Sequence, residues 1–197
     1  GTLRASAGEV VDTVETGADG VAVTKKLYLG KYAVREITAP SGMVLNGETH
    51  EVELVYAGQE ISVTETATSY YNERQKVEIA LSKAMETDSI FGIGNNGEIA
   101  DVTFGIYAAV DITAMDGSVI PADGLLEIVA VGADGTAQFS VDLPFGSYYV
   151  RELSTNAAYI LSDEKYPVEF DYAGQDTAVV TVSVNEGNAI GNDLIYG

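Results

Sequence analysis

The sequence predicts an all-β chain of two tandem β-sandwich modules. Three observations carry this: a long internal repeat, short stretches that alternate in polarity, and turn signals between them. Residues 27–59, LYLGKYAVREITAPSGMVLNGETHEVELVYAGQ, align without a gap on residues 143–175, LPFGSYYVRELSTNAAYILSDEKYPVEFDYAGQ, at an offset of 152 − 36 = 116. Gly30/Gly146, Tyr32/Tyr148, Val34/Val150, Arg35/Arg151, Glu36/Glu152 and Leu45/Leu161 coincide, as do the two Tyr-Ala-Gly-Gln runs at 56–59 and 172–175. Gly-Ala-Asp-Gly recurs at 17–20 and 132–135, one residue out of step. A period this long marks a duplicated domain, because solenoid units are about 20–50 residues.

The predicted strands follow in order: KYAVREI (31–37), HEVELVY (50–56), ISVTETA (61–67), KVEIALSK (76–83), DVTFGIYAA (101–109), SYYVREL (147–153), YPVEFDY (166–172) and TAVVTVSV (177–184). Each is rich in Val, Ile, Thr or Tyr, which suit a pleated, half-buried surface. Asp-Gly, Ala-Gly, Ser-Gly and Asn-Gly pairs separate them and supply the backbone for tight turns. No stretch of a dozen residues carries a helical stripe; one short helical turn fits near 84–93. The predicted modules are 1–75 and 76–197. The second copy has two strands, 76–83 and 101–109, ahead of Asp116-Gly117. The first enters at the corresponding point, with Gly1-Thr2-Leu3 in place of Gly117-Ser118-Val119. The first module is therefore expected to lack its opening strands, leaving an edge prone to pair with another chain.

Composition narrows the function. The net charge of −20, from 30 acidic and 10 basic residues, repels phosphate backbones and anionic lipid heads, so neither nucleic acid nor a membrane surface is an expected partner. No apolar run approaches the ~18 residues of a membrane span. The absence of cysteine removes disulfides, thiolate zinc sites and thiol nucleophiles together. In a secreted module of this size, something else often supplies the staple that disulfides would give.

Strand parity suggests what that staple is. Lys83 shares a strand face with Val77, Ile79 and Leu81, so the strand aims an amine into its apolar side. Glu152 shares a face with Tyr148 and Val150; in the last strand Asn192 lies among Ile190, Leu194 and Tyr196. Burying an amine, an acid and an amide on three strands is unfavourable unless they meet. Burial disfavours the charged form of amines and carboxyls alike. A neutral Lys83 amine is a nucleophile, and a protonated Glu152 can polarise the Asn192 carbonyl and pass a proton to departing ammonia. The product is one amide crosslink between the first and last strands of the second module. The gapless offset maps Asn72 onto Asn188 instead, but Asn188 lies in a polar Asn-Glu-Gly-Asn turn, so Asn192 is preferred.

The run Gly30-Lys31-Tyr32-Ala33-Val34-Arg35-Glu36-Ile37-Thr38-Ala39-Pro40-Ser41-Gly42 resembles the signature of CnaB-type, SpaA-like domains of Gram-positive pilins and collagen adhesins. Asn72-Glu73-Arg74-Gln75-Lys76 before VEIALSK resembles a junction between two such domains. The resemblance implies a prealbumin-like sandwich closed by an isopeptide bond between a first-strand lysine and a last-strand asparagine. By position these are Lys83 and Asn192, with Glu152 assisting. Glu36 and Asn72 are the first-module counterparts of acid and amide, and their lysine would precede Gly1. The second copy departs from the signature in one place, reading Ser154-Thr155-Asn156-Ala157-Ala158-Tyr159 at the Ala-Pro-x-Gly turn.

The expectation is a secreted, wall-anchored surface module that acts as a stalk or spacer, without turnover catalysis, cofactor or metal. Its partners would be neighbouring domains of the same surface protein. The competing expectation is an adhesin module that recognises host protein or glycan through loops or an aromatic patch. Other signals are weaker. Gly92, Gly94 and Gly97 spell G-x-G-x-x-G but lack the strand and helix of a dinucleotide site. The Asp-Gly pairs lack the spaced acids of a calcium loop. His50, the single histidine, cannot build a triad or a zinc site alone.

Overall fold

The strands that form are those whose alternating faces find a partner. The computed structural model describes residues 2–114 and 116–196; Gly1, where the first copy was matched to Gly117, lies outside them. The chain divides into two compact units, Gly1–Thr38 with Leu45–Tyr71, and Ala39–Val44 with Asn72–Gly197.

The first unit carries one antiparallel hairpin, β1 (Gly30–Arg35) with β2 (Thr49–Leu54), paired from Gly30↔Leu54 to Arg35↔Thr49. Tyr32 and Val34 are half-buried while Lys31, Ala33 and Arg35 are exposed, as alternation demands. None of its described residues is fully buried. Residues 61–67, expected as a strand, are not one. The reason lies in the second unit, where the equivalent strand forms only by pairing with the strand that opens at Lys76. Among the described residues of the first unit no strand is a counterpart of that opening strand.

The second unit is a two-sheet sandwich. Its strands are β3 (Lys76–Met85), β4 (Thr103–Ala108), β5 (Ile112–Thr113), β6 (Val119–Ile120), β7 (Leu125–Ala130), β8 (Thr136–Phe139), β9 (Gly146–Ser154), β10 (Tyr166–Phe170), β11 (Val179–Ser183) and β12 (Ile190–Asn192). One sheet runs β10-β9-β4-β7, all antiparallel. The other centres on β3, which pairs in parallel with β11 over its first half and with β12 over its second, and antiparallel with β8. β5 and β6 form a separate hairpin. The helical turn expected near 84–93 is not there: β3 runs on to Met85, and the short 3-10 turns are Glu98–Asp101 and Val184–Gly187.

The facing sides of the sheets meet in one core, built from Ile79 and Leu81, Phe104 and Ile106, Phe139, Tyr148 and Val150, Val168 and Phe170, and Ile190. Burying side chains of this size contributes about 1.5–3 kcal/mol each. The repeat extends to atomic detail. β9 pairs with β10 from Gly146↔Phe170 to Val150↔Tyr166, the β1–β2 register displaced by 116 residues. The Tyr32 hydroxyl donates to the Tyr28 carbonyl and Tyr148 to Pro144, both at 2.6 Å. The Glu36 carboxylate accepts from Asn46 N–H at 2.7 Å, as Glu152 accepts from Ser162 N–H at 3.0 Å.

Candidate functional site

β3 reads exposed, then inward, at every second residue, and carries Lys83 in by that rhythm. The Lys83 side chain has no solvent exposure, and neither has that of Glu152, which follows Tyr148 and Val150 inward along β9. Asn192 ends β12 with 3% of its surface exposed, two residues after Ile190, the ladder partner of Lys83. A β-bulge between Thr103 and Phe104 sets Glu152 opposite Phe104.

The three side chains meet around one carboxyl group. Glu152 Oε1 lies 3.6 Å from Lys83 Nζ. On its other oxygen, Oε2 accepts from Asn192 Nδ2 at 2.8 Å and from Ser162 N–H at 3.0 Å. Lys83 Nζ also donates to the carbonyls of Ile190, at 2.9 Å, and Ala84, at 3.1 Å. Desolvation holds the Lys83 amine below its ordinary pKa, against the opposing pull of Glu152.

The amide orientation is set by its neighbours. Asn192 Nδ2 donates to the Ile160 carbonyl at 2.8 Å, an atom that can only accept. That turns Oδ1 toward Thr155, whose hydroxyl donates to it at 3.2 Å. The acid expected to polarise the carbonyl therefore faces the amide nitrogen, and Thr155 meets the oxygen. Sequence reasoning missed Thr155: it lies where the second copy departs from the signature, opposite Ala39 of the first. A hydroxyl-bearing residue replacing alanine there was the available signal.

Other expected positions lie elsewhere. Asn188 is exposed in the turn, its amide donating to the Asn185 carbonyl at 3.1 Å. Asn72 Nδ2 donates to the Val44 carbonyl at 3.0 Å. Tyr196, assigned by parity to the inward face, is 70% exposed. The β3–β12 ladder ends at Asn192; beyond it Leu194 bridges Tyr159, Ile195 N–H donates to the Ala158 carbonyl at 2.9 Å, and Glu86 accepts from Leu194 N–H at 2.8 Å and from the Tyr196 hydroxyl at 2.5 Å.

The glycine motif forms a loop, not a phosphate cradle. Gly92, Gly94 and Gly97 all take positive φ, and Glu98 closes the loop. Its carboxyl is drawn down to about 2 by its own backbone N–H and those of Asn96 and Gly94. The Asp-Gly acids Asp19, Asp116 and Asp134 accept from backbone N–H groups of their own turns. Among the described residues no cluster of His, Cys, Asp or Glu is arranged to hold a metal, and no helix is long and apolar enough to cross a membrane. Tyr107 and Tyr149 stack at 5.0 Å, but Arg151 and Lys165 cover them, leaving 8% and 7% of each exposed.

A duplicated β-hairpin register, a two-sheet sandwich and parallel first and last strands define a prealbumin-like β-sandwich protein. A family model described as SpaA, a prealbumin-like fold domain, matches residues 2–69 and 92–187, and the chain belongs to that family. Over 73 residues, 36% of the chain, it is 32% identical to the trypsin-resistant surface T6 protein of Streptococcus pyogenes serotype M6, spanning 14% of that protein's length. The TIE protein of Bacillus anthracis has a similar fold (TM-score 0.55, 22% identity), matching 92% of this chain and 28% of its own. The group B streptococcus pilus 2b backbone protein aligns over 92% of this chain and 77% of its own, with 14% identity and a TM-score of 0.40. The family model fixes the fold, and the streptococcal relative is itself a surface protein.

Proposed function

We propose that the chain is a stalk or spacer segment of a wall-anchored pilin or adhesin, stapled in its second module by a self-formed amide bond between Lys83 and Asn192. One observation carries this reading: a single buried carboxyl group reaches the lysine amine with one oxygen and the asparagine nitrogen with the other. Lys83 Nζ attacks Asn192 Cγ, and the Thr155 hydroxyl steadies the oxygen as it gains charge. Glu152 takes the proton from Nζ and delivers it to Nδ2. The C–Nδ2 bond breaks, ammonia leaves, and the new C–Nζ bond remains. Positioning supplies most of the rate, since effective molarities of fixed groups reach about 10⁵–10⁸ M. A surface cleft beside Glu152 is lined by Arg151, Leu153, Leu161, Ser162 and Asp163. The reaction occurs once per chain, so this is maturation, not turnover.

The bond suits a spacer because β3 and β12 are parallel neighbours, the first and last strands of the unit. Tension entering at one and leaving at the other would pass through the crosslink and spare the 192 − 83 − 1 = 108 residues between. The test is the intact mass of the purified chain, expected one ammonia below the sequence mass and restored to it in Lys83→Ala. A wild-type mass equal to the sequence overturns the crosslink.

A further inference from the structure

Residues Ala39–Val44 belong to the second compact unit. The Tyr172–Gln175 turn receives them there. Ala39 N–H donates to Gln175 Oε1 at 2.8 Å, and the Tyr172 hydroxyl donates to the Met43 carbonyl at 3.1 Å. Met43 N–H closes the turn on the Pro40 carbonyl at 3.0 Å. Gly42, at φ 83°, lies so flat on Phe145 that a Cβ there would come within 3.1 Å of the ring. Ala39 keeps 8% of its surface exposed.

The first unit carries the same receiving surface 116 residues earlier, with Leu29 for Phe145, Tyr56 for Tyr172 and Gln59 for Gln175. Its backbone is already in the receiving shape. Gly58 has φ 114° and Gly174 φ 93°. Ile61 N–H donates to the Gly58 carbonyl at 3.3 Å, as Thr177 N–H does to Gly174 at 3.4 Å. The exposure differs: Tyr56 is 67% exposed against 38% for Tyr172, Leu29 is 55% exposed, and Gln59 is exposed where Gln175 is half-buried.

We propose that Leu29, Tyr56 and Gln59 form a docking site for an Ala-Pro-x-Gly turn presented by another module of the same family. The occupant is specified by the filled copy. It offers a backbone N–H to Gln59 and a carbonyl to the Tyr56 hydroxyl, and lays a glycine in left-handed conformation over Leu29. Proline pre-sets the turn, and any side chain at the glycine would be strained and would strike the apolar wall. The site is independent of the Lys83–Asn192 chemistry.

The test titrates a peptide of residues 36–46, EITAPSGMVLN, into the isotope-labelled full chain and follows its amide resonances. Saturable shifts are expected at Leu29, Tyr56, Ala57, Gly58 and Gln59. Affinity should fall roughly tenfold or more, about 1.4 kcal/mol, in a Tyr56→Phe/Gln59→Ala chain and for a Gly42→Val peptide. Unchanged β1–β2 resonances confirm that the variant is folded. Absence of shifts at these residues with millimolar peptide, shifts confined to Tyr172–Gln175, or equal binding of the altered peptide or chain overturns the proposal.

Discussion

Lys83 Nζ and Glu152 Oε1 lie 3.6 Å apart with neither side chain exposed to solvent. A buried pair of this kind is weak evidence for stability, because desolvation offsets the attraction. Its second carboxylate oxygen, on Asn192 Nδ2, is what makes it chemically informative. Glu152→Gln keeps the shape and removes the proton carrier. Crosslinking should then slow by about 10²–10⁴-fold, the usual worth of a positioned acid–base group. Intact mass followed over time after synthesis reads this, and ammonia loss at the wild-type rate would rule Glu152 out as the shuttle.

The crosslink should be visible in stability. Closing a loop that encloses 108 residues contributes roughly 4–5 kcal/mol by restricting the unfolded chain. Asn192→Ala removes it, together with the Thr155 hydroxyl's bond to the carbonyl oxygen. The melting temperature should fall by roughly 10–20 °C. Under force, the wild-type second unit should resist extension between residues 83 and 192, while the variant releases that length.

Much of this arrangement was legible from parity. Lys83, Glu152 and Asn192 each sit at every-second-residue positions with aliphatic or aromatic neighbours, and alternation is dictated by the pleat. β7 and β8 were not legible. LLEIVA shows no clean alternation because a bulge between Ile106 and Tyr107 shifts its register against β4, and TAQF is too short to read. ISVTETA alternates well but pairs with no strand among the described residues, and alternation alone does not hold a strand. Thr155 was missed because its role depends on which way a distant amide turns; the replacement of alanine by threonine marks the position but not the partner.

Thr155→Val tests that role. The substitution keeps the branched shape and removes the only hydroxyl that donates to Asn192 Oδ1 among the described residues. Loss of one donor to a developing oxyanion costs on the order of 10²-fold in rate. The mature variant should still carry the full mass deficit, reached more slowly, and should melt near wild type once crosslinked. An unchanged rate of ammonia loss would place the hydroxyl outside the chemistry.

The lowered pKa of Lys83 also predicts a pH dependence, best seen where no crosslink consumes the amine. In Asn192→Ala, the folded chain holds Lys83 below its ordinary pKa because burial disfavours the ammonium, while the unfolded chain restores the ordinary value. Between those two values the unfolded state binds more protons than the folded one, so stability must rise with pH across that window. Below the folded pKa both states are protonated and the burial penalty is complete; above the unfolded value it has vanished. Lys83→Met in the same background removes the titrating group and retains the packing of the stem. Denaturant melts of the single and double variants from about pH 7 to pH 10 read the contribution of the buried amine. The stability difference should close as pH rises, and curves that run parallel would show that the buried amine stays charged.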